Sequence, residues 1–316
     1  MEQRFAIGID LGGTQVRAAL VDITGKIHAR AATATDVAGG PVQIVAQIKR
    51  LVDEICSTDH LSHVAGVGVS APGPLDSDLG LVLEIPTLAG WHNVPLRSIL
   101  AEKLGLPIIL ENDGIAAANG EWKFGAAKGL QNFVYVTVST GIGGGVVVDN
   151  HLLHGRRGMA GHVGHMVIDP LGPYCSCGAR GCFEAIASGT ALGHAGRKAV
   201  AGFPASILAE LAVDKITART IVEATRQGDS LSLELLEREA KYLGAGFSNL
   251  IHLYSPQRLI MGGGVALAFD LLQPVIVATV QTQIMPPFRG VDIVPALLCD
   301  NAGLVGAATL VWERGP

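Results

Sequence analysis

Residues 6–27, AIGIDLGGTQVRAALVDITGKI, and residues 134–155, VYVTVSTGIGGGVVVDNHLLHG, follow one plan: strand, polar end, glycine turn, strand, hairpin. A supersecondary unit used twice predicts two similar domains facing each other. Apolar runs broken by glycine also recur by chance, so the echo needs support from the segments around it. FAIGID (5–10) and VRAALVD (16–22) read as strands, with TGK (24–26) as a hairpin turn. A helix is expected from Val42 to about Cys56, strands over VAGVGVS (64–70) and PIIL (107–110), and a helix over GIAAANGEW (114–122). A helical region begins near Ser188, runs to Ser255–Pro256 and gives way to the strand RLIMGG (258–263). This alternation is that of an α/β protein. No low-complexity linker separates the halves, so the domains are expected to join at a hinge.

Composition removes several classes of function. The 316 residues are 16% charged and 49% hydrophobic, which suits a well-packed α/β chain and not a disordered or fibrous one. A net charge of −5 with no Lys/Arg run argues against a nucleic-acid partner. The most apolar region, FVYVTVSTGIGGGVVV (133–148), is broken by Thr, Ser and Gly, and no uninterrupted apolar stretch of membrane-spanning length stands out. The N-terminal MEQRFAIGIDLGG has no apolar core before its acid and glycines, unlike a signal peptide. Five cysteines, three of them within 175–182, do not make a secreted disulfide framework. The expectation is a cytoplasmic protein with no membrane partner.

Three glycine clusters follow apolar strands. Asp10-Leu11-Gly12-Gly13-Thr14 closes the first, where glycines let the backbone approach a phosphate and point N–H groups at it. Thr14 can add a hydroxyl donor, and Asp10 is placed to hold Mg²⁺ through water. Thr140-Gly141-Ile142-Gly143-Gly144-Gly145 repeats these elements, and Gly262-Gly263-Gly264 can line a nucleoside. None of the three fits G-x-x-x-x-G-K-[ST] or G-x-G-x-x-G. Each alone reads more often as an ordinary tight turn than as a ligand loop; together they point to a nucleotide clamped between two domains.

LENDGIAAANGE (110–121) puts Asn112 and Asp113 where a strand stops and a helix starts, the end of an open α/β sheet at which ligands bind. A carboxylate there can take the proton of an attacking hydroxyl during phosphoryl transfer. Asp is also a favoured helix N-cap, and Asp113 stands in that place too.

IDLGGT (9–14), ENDGIAAANGE (111–121), VSTGIGGG (138–145), GHVGH…CSCGARGCFEA (161–185) and NAGLVGAATL (301–310) together resemble the ROK family of bacterial sugar kinases and sugar-responsive repressors, in the family's order and over nearly the whole chain. The resemblance implies a two-domain actin-like fold of the hexokinase/Hsp70 type, with ATP in a cleft between the domains. The small domain would span 1–112, completed by the C-terminal helix at about 302–316, and the large domain, carrying the cysteine motif, 113–301. It implies transfer of the γ-phosphoryl group of ATP to a sugar hydroxyl, commonly the 6-hydroxyl of a hexose. Asp113 takes the part of catalytic base, and Gly73, Asn112, Asp113, His165 and Glu184 bind sugar. Asp10, Gly12, Gly13, Thr14, Thr140, Gly141, Gly262 and Gly263 serve the nucleotide. A homodimer or higher homo-oligomer is implied as well.

One position departs from the family. Most of its kinases carry Glu three residues before the motif histidine; here that place is His162, a further candidate contact to sugar. AGHxGH is similar to bacterial N-acetylmannosamine kinases, whereas the helical region from 205 to 250 reads like the family's glucokinases. The family's repressors carry a helix-turn-helix before the first glycine motif, and only four residues precede Phe5 here. A glucokinase is therefore expected, with the N-acetylmannosamine kinase as alternative. His165, Cys175, Cys177 and Cys182 make a Cys₃His set, the ligand count of a closed structural zinc site, with no position open for water. Gly178 and Gly181 would let the backbone fold around the ion, and a disulfide is the other reading.

Overall fold

The repeated plan is realised as two five-stranded sheets with one strand order. The computed structural model describes residues 5–56, 61–85 and 88–315. In the first sheet β1 (Phe5–Leu11) pairs antiparallel with β2 (Gln15–Asp22), and β2 with β3 (Ile27–Ala34). On its other side β1 runs parallel to β4 (Val64–Ala71), and β4 to β8 (Ile108–Asn112), giving the order β3-β2-β1-β4-β8. The second sheet is ordered β11-β10-β9-β12-β13, from β9 (Phe133–Val138), β10 (Ile142–Val148), β11 (His151–Leu152), β12 (Arg258–Gly262) and β13 (Asp292–Pro295). Here β12 runs parallel to both β9 and β13. A small antiparallel sheet, β5 (Leu75–Asp76), β6 (Leu81–Glu84) and β7 (His92–Val94), branches from the first unit.

Two compact units divide the chain. The first draws on residues up to 131, on 145–161 and on those from 297 onward; the second holds 132–144 and 162–296.

In the first unit α1 (Gly40–Ile55) buries Ile44, Val45, Ile48, Leu51, Val52 and Ile55, the three-and-four spacing of one helix face. Each such side chain contributes about 1.5–3 kcal/mol by leaving water. It shares a core with Ile7, Ile9, Val16, Leu20, Val67, Val69 and Trp91, to which α2 (Leu96–Leu104) adds Leu96 and Leu100. On the other side α9 (Ala302–Arg314) packs against β1, β4 and α3 (Asp113–Phe124). Glycine allows that approach. A Cβ at Gly8 would stand 2.0 Å from the Leu304 carbonyl oxygen, one at Gly68 1.8 Å from that of Ala307, and one at Gly306 1.7 Å from that of Ala116. An alanine at any of the three would force helix and neighbour apart.

The second unit stacks α4 (Phe183–Ala187), α5 (Gly189–Ala199), α6 (Ala218–Arg226), α7 (Ser230–Tyr254) and α8 (Phe269–Gln283). Ser188, expected as the start of a helical region, caps α5 by accepting the Ala191 N–H. Asp229 caps α7, whose 25 residues are followed by Ser255 in the left-handed conformation. Gly264–Gln283 has a mean hydropathy of 1.5 and, by length and composition, could cross a membrane. The stretch carries Asp270 and Pro274 within it. In the structure it buries Phe269, Leu272, Ile276 and Val280 on one face and packs on α7.

Candidate active site

The expected site residues fall into one set per unit. In the first unit Asp10 is the penultimate residue of β1, and the turn after it is closed by the Gly12 N–H donating to Gln15 O (2.9 Å). The Thr35 hydroxyl donates to Gly12 O (2.6 Å) and the Thr35 N–H to Thr14 O (2.9 Å), so the loop is fixed from β3's end while Gly13 and Thr14 stay exposed. Asp10 is held on both oxygens. Ser70 donates its hydroxyl to Oδ1 (3.0 Å), and the Arg17 guanidinium pairs with Oδ2 while donating to the Asp300 carbonyl (3.0 Å). Sequence reasoning missed Ser70 and Arg17, although register marks them: Asp10 pairs across the strands with both.

At the end of β8 the chain turns straight into α3. Asn112 is the N-cap: its side chain accepts the Gly114 N–H (3.0 Å). Asp113 was the expected cap on sequence grounds, but the structure makes it the first residue of the helix, half-buried, with Oδ1 also accepting the Gly114 N–H (2.7 Å). The capping duty thus rests chiefly on Asn112, whose backbone is extended as a cap requires. Gly73, half-buried, precedes a cis peptide bond to Pro74 between β4 and β5.

In the second unit the loop after β9 meets Glu184. The carboxylate Oε2 accepts the Ile142 N–H (2.9 Å), and a Cβ at Gly141 would lie 2.3 Å from that oxygen. Position 141 therefore needs glycine for the carboxylate as much as for any phosphate. The Thr140 carbonyl accepts the Thr190 hydroxyl (2.7 Å), and the Gly189 N–H donates to Ser139 O (2.8 Å), which ties the loop to α5. Gly262 is buried, and a Cβ there would meet the Tyr135 hydroxyl at 2.3 Å, a packing reason for glycine that the sequence alone hides. Gly263 has φ +86°, which disfavours any side chain.

The four candidate metal ligands converge. One ligand atom from each of His165, Cys175, Cys177 and Cys182 lies within 4.8 Å of all the others. Sγ of Cys177 and Cys182 are 3.6 Å apart, and Cys175 Sγ is 3.7 Å from His165 Nδ1. Two sulfurs on one tetrahedral zinc, each at about 2.3 Å, stand about 3.8 Å apart, and a sulfur and an imidazole nitrogen about 3.6 Å. The set fits that ion. It does not fit a disulfide, whose sulfurs are about 2.05 Å apart, and all three cysteines are free. Burial, with the neighbouring Cys177 and Cys175 sulfurs, pushes the Cys182 thiol up to about 12, while the Ala179 N–H draws that of Cys177 down. Three thiols this close resist ionising together unless a cation joins them. Gly178 (φ +88°) and Gly181 (φ +75°) take the left-handed turns that wrap the loop. His162 and His165 stack with centroids 6.2 Å apart, and Cys175 Sγ lies 3.9 Å from Glu184 Oε1, so the cluster touches two candidate sugar contacts.

Among known proteins, the sequence profile of the ROK family matches residues 6–314. The chain is 37% identical to a glucokinase of Thermotoga maritima over 98% of its length and 97% of that protein. It is 32% identical to an N-acetylmannosamine kinase of Yersinia pseudotuberculosis over 98% of both chains. A crystal structure of a glucokinase from Streptomyces griseus in complex with glucose and AMPPNP superposes with a TM-score of 0.87 at 34% identity, covering 98% of this chain and 99% of that one.

Proposed function

This chain belongs to the ROK family, and on that premise we propose that it is an ATP-dependent hexose kinase that phosphorylates the 6-hydroxyl of glucose. The observation that carries this is its full-length likeness to glucokinases, one of them crystallised with glucose and a nucleotide analogue.

Each unit would supply its own part. From the first, Asp113 accepts the proton of the sugar hydroxyl as that oxygen attacks the γ-phosphorus; the bond to the β–γ bridging oxygen breaks and ADP leaves. Asn112 and Gly73 hold neighbouring sugar hydroxyls. Gly12, Gly13 and Thr14 would offer donors to the phosphates, and Asp10, alongside its bonds to Ser70 and Arg17, would hold Mg²⁺ through water. From the second, Thr140 and Gly141 serve the phosphates and Gly262 and Gly263 the nucleoside. His162, His165 and Glu184 grip the sugar. Bound Mg²⁺ neutralises charge on the phosphate oxygens. His165 Nδ1, Cys175, Cys177 and Cys182 would hold zinc, whose chemistry is to fix the loop. With Nδ1 committed to the ion, Nε2 of His165 is the nitrogen left to meet the sugar.

N-acetylmannosamine is the second reading, favoured by His162 in place of a carboxylate and by the Yersinia relative. An imidazole is neutral or cationic where a carboxylate is anionic, so it accepts from sugar hydroxyls less strongly. Coupled assay of ADP release with a sugar panel separates the two: the expected result is the highest kcat/KM with glucose. Turnover confined to N-acetylmannosamine would replace the first reading with the second. Asp113→Asn should lower kcat by about 10²–10⁴-fold with little change in Tm; near-parental turnover would remove Asp113 from the role of base.

A further inference from the structure

The residue before the Asn112–Asp113 pair has no part in the reaction as proposed, yet the fold invests heavily in it. Glu111 is the penultimate residue of β8, with its side chain fully out of water, although it is a carboxylate. Both oxygens are committed. Oε1 accepts the N–H of Asn112 (2.8 Å). Oε2 accepts from Nη2 of Arg314 (2.6 Å) and lies 3.2 Å from Nε2 of His154. Arg314 is the last residue of α9 and also contacts the His154 ring nitrogen, so three distant segments of the first unit meet behind this corner.

Stability alone does not account for this. A buried ion pair is generally no better for stability than apolar residues of the same shape, because desolvation offsets its attraction. What such a pair does supply is direction. Held by Arg314, the Glu111 carboxylate fixes the 111–112 peptide through its bond to the Asn112 N–H. That peptide sets the extended backbone of the N-cap Asn112, which aims the first residue of α3. We propose that Glu111, anchored by Arg314, is a positioning residue that acts on the reaction through Asp113. This rests on the kinase reading and extends it to residues that touch no substrate.

The test is steady-state kinetics with glucose and ATP on the full chain, with Tm as the folding control. Glu111→Gln keeps shape and an acceptor for the Asn112 N–H but removes the charge that orders Arg314. It should lower kcat by about 10- to 100-fold, the scale set by a misplacement of about 1 Å, with both KM values within about twofold. The folding control is Arg314→Lys, which keeps a cation for the buried carboxylate at a side chain that is 30% exposed. Arg314→Gln should reproduce the loss, and Arg314→Lys should restore most of kcat, since a single Nη2 makes the contact. The deciding measurement is the double variant. In an Asp113→Asn background, Glu111→Gln should cost little further kcat, because both changes act at one group. A purely structural role would move Tm and leave kcat per folded molecule unchanged, and multiplicative losses in the double variant would place Glu111's effect elsewhere; either outcome overturns the proposal. Parental turnover lost in Asp113→Asn but kept in Glu111→Gln and Arg314→Gln sinks this inference alone, whereas a parent inactive with every sugar sinks it together with the kinase reading.

Discussion

Replacing Glu239 by Gln should stabilise the second unit, by an amount that grows with pH. Glu239 lies on the buried side of α7, 3% exposed, with Leu235, Leu236, Ala240 and Leu243 also buried along the helix, and its Oε1 has no hydrogen-bond partner. Burial pushes its carboxyl up from 4.5 to about 8, against a smaller opposing pull from Arg238. Between those values the folded chain keeps a proton that the unfolded chain has released. The free energy of unfolding therefore falls by about 1.4 kcal/mol for each pH unit gained in that window. Over the span from 4.5 to about 8 the loss sums to about 5 kcal/mol, and it levels off above that. A glutamine has nothing to titrate, and every other group contributes alike to parent and variant. The difference between their urea midpoints, measured in steps from pH 5 to 8.5, should therefore start small and widen steadily. A difference that stays constant across the series would refute the reasoning, because it would mean Glu239 titrates alike folded and unfolded.

Elemental analysis should find about one zinc per chain, and Cys177→Ser should lose both metal and sugar affinity while still binding ATP by calorimetry; a metal-free preparation with unchanged sugar KM would count against the site. Gly141→Ala should raise the sugar KM about tenfold or more, since a methyl 2.3 Å from Glu184 Oε2 must displace that carboxylate from the Ile142 N–H, and a charged hydrogen bond is worth about 1.5–3 kcal/mol. A raised ATP KM with an unchanged sugar KM would instead assign Gly141 to the nucleotide alone. His162→Glu should raise kcat/KM for glucose relative to N-acetylmannosamine. An unchanged ratio would move specificity elsewhere, for instance to residues 86–93, of which Pro86 and Thr87 lie outside the described residues.

The parts of the fold legible in the sequence are those whose signal is local. β1, β2, β4, β8, β9 and β12 announce themselves as apolar runs ending at glycine or a polar residue, because a strand buried on both faces needs little else. β3 was not legible: IHARAATA buries only Ala31, and alanine and threonine give too weak a contrast for an edge strand to show. The same division holds at the site. Asn112 and Asp113 are adjacent, and the four candidate metal ligands lie within 18 residues of one another, so spacing alone brings them out. Gly262 is the converse case. Its sequence context reads as a ligand loop, while the Tyr135 hydroxyl that excludes a side chain there comes from another strand.

Charge is the signal that sequence most readily misassigns, since a lone glutamate reads as surface. The helix that carries the proposed base is bounded by two such residues. Glu121, on α3, is fully buried, and its carboxylate accepts the N–H groups of Ala126 (2.7 Å), Leu298 (2.7 Å) and Leu297 (3.2 Å). Glu111, immediately before the helix cap, is fully buried on Arg314. Both carboxylates reach the same C-terminal segment, at its start and at its end. Between those points Gly306 lets the backbones of α9 and α3 approach without a side chain between them. A cap alone would fix only the first turn of α3. Two buried carboxylates and one glycine contact fix both ends of the helix and its middle, and a base that must meet a hydroxyl within hydrogen-bond reach needs a support of that rigidity. If Asp113 is the base, the C-terminal segment supports it from both ends although none of its residues is proposed to touch sugar or nucleotide.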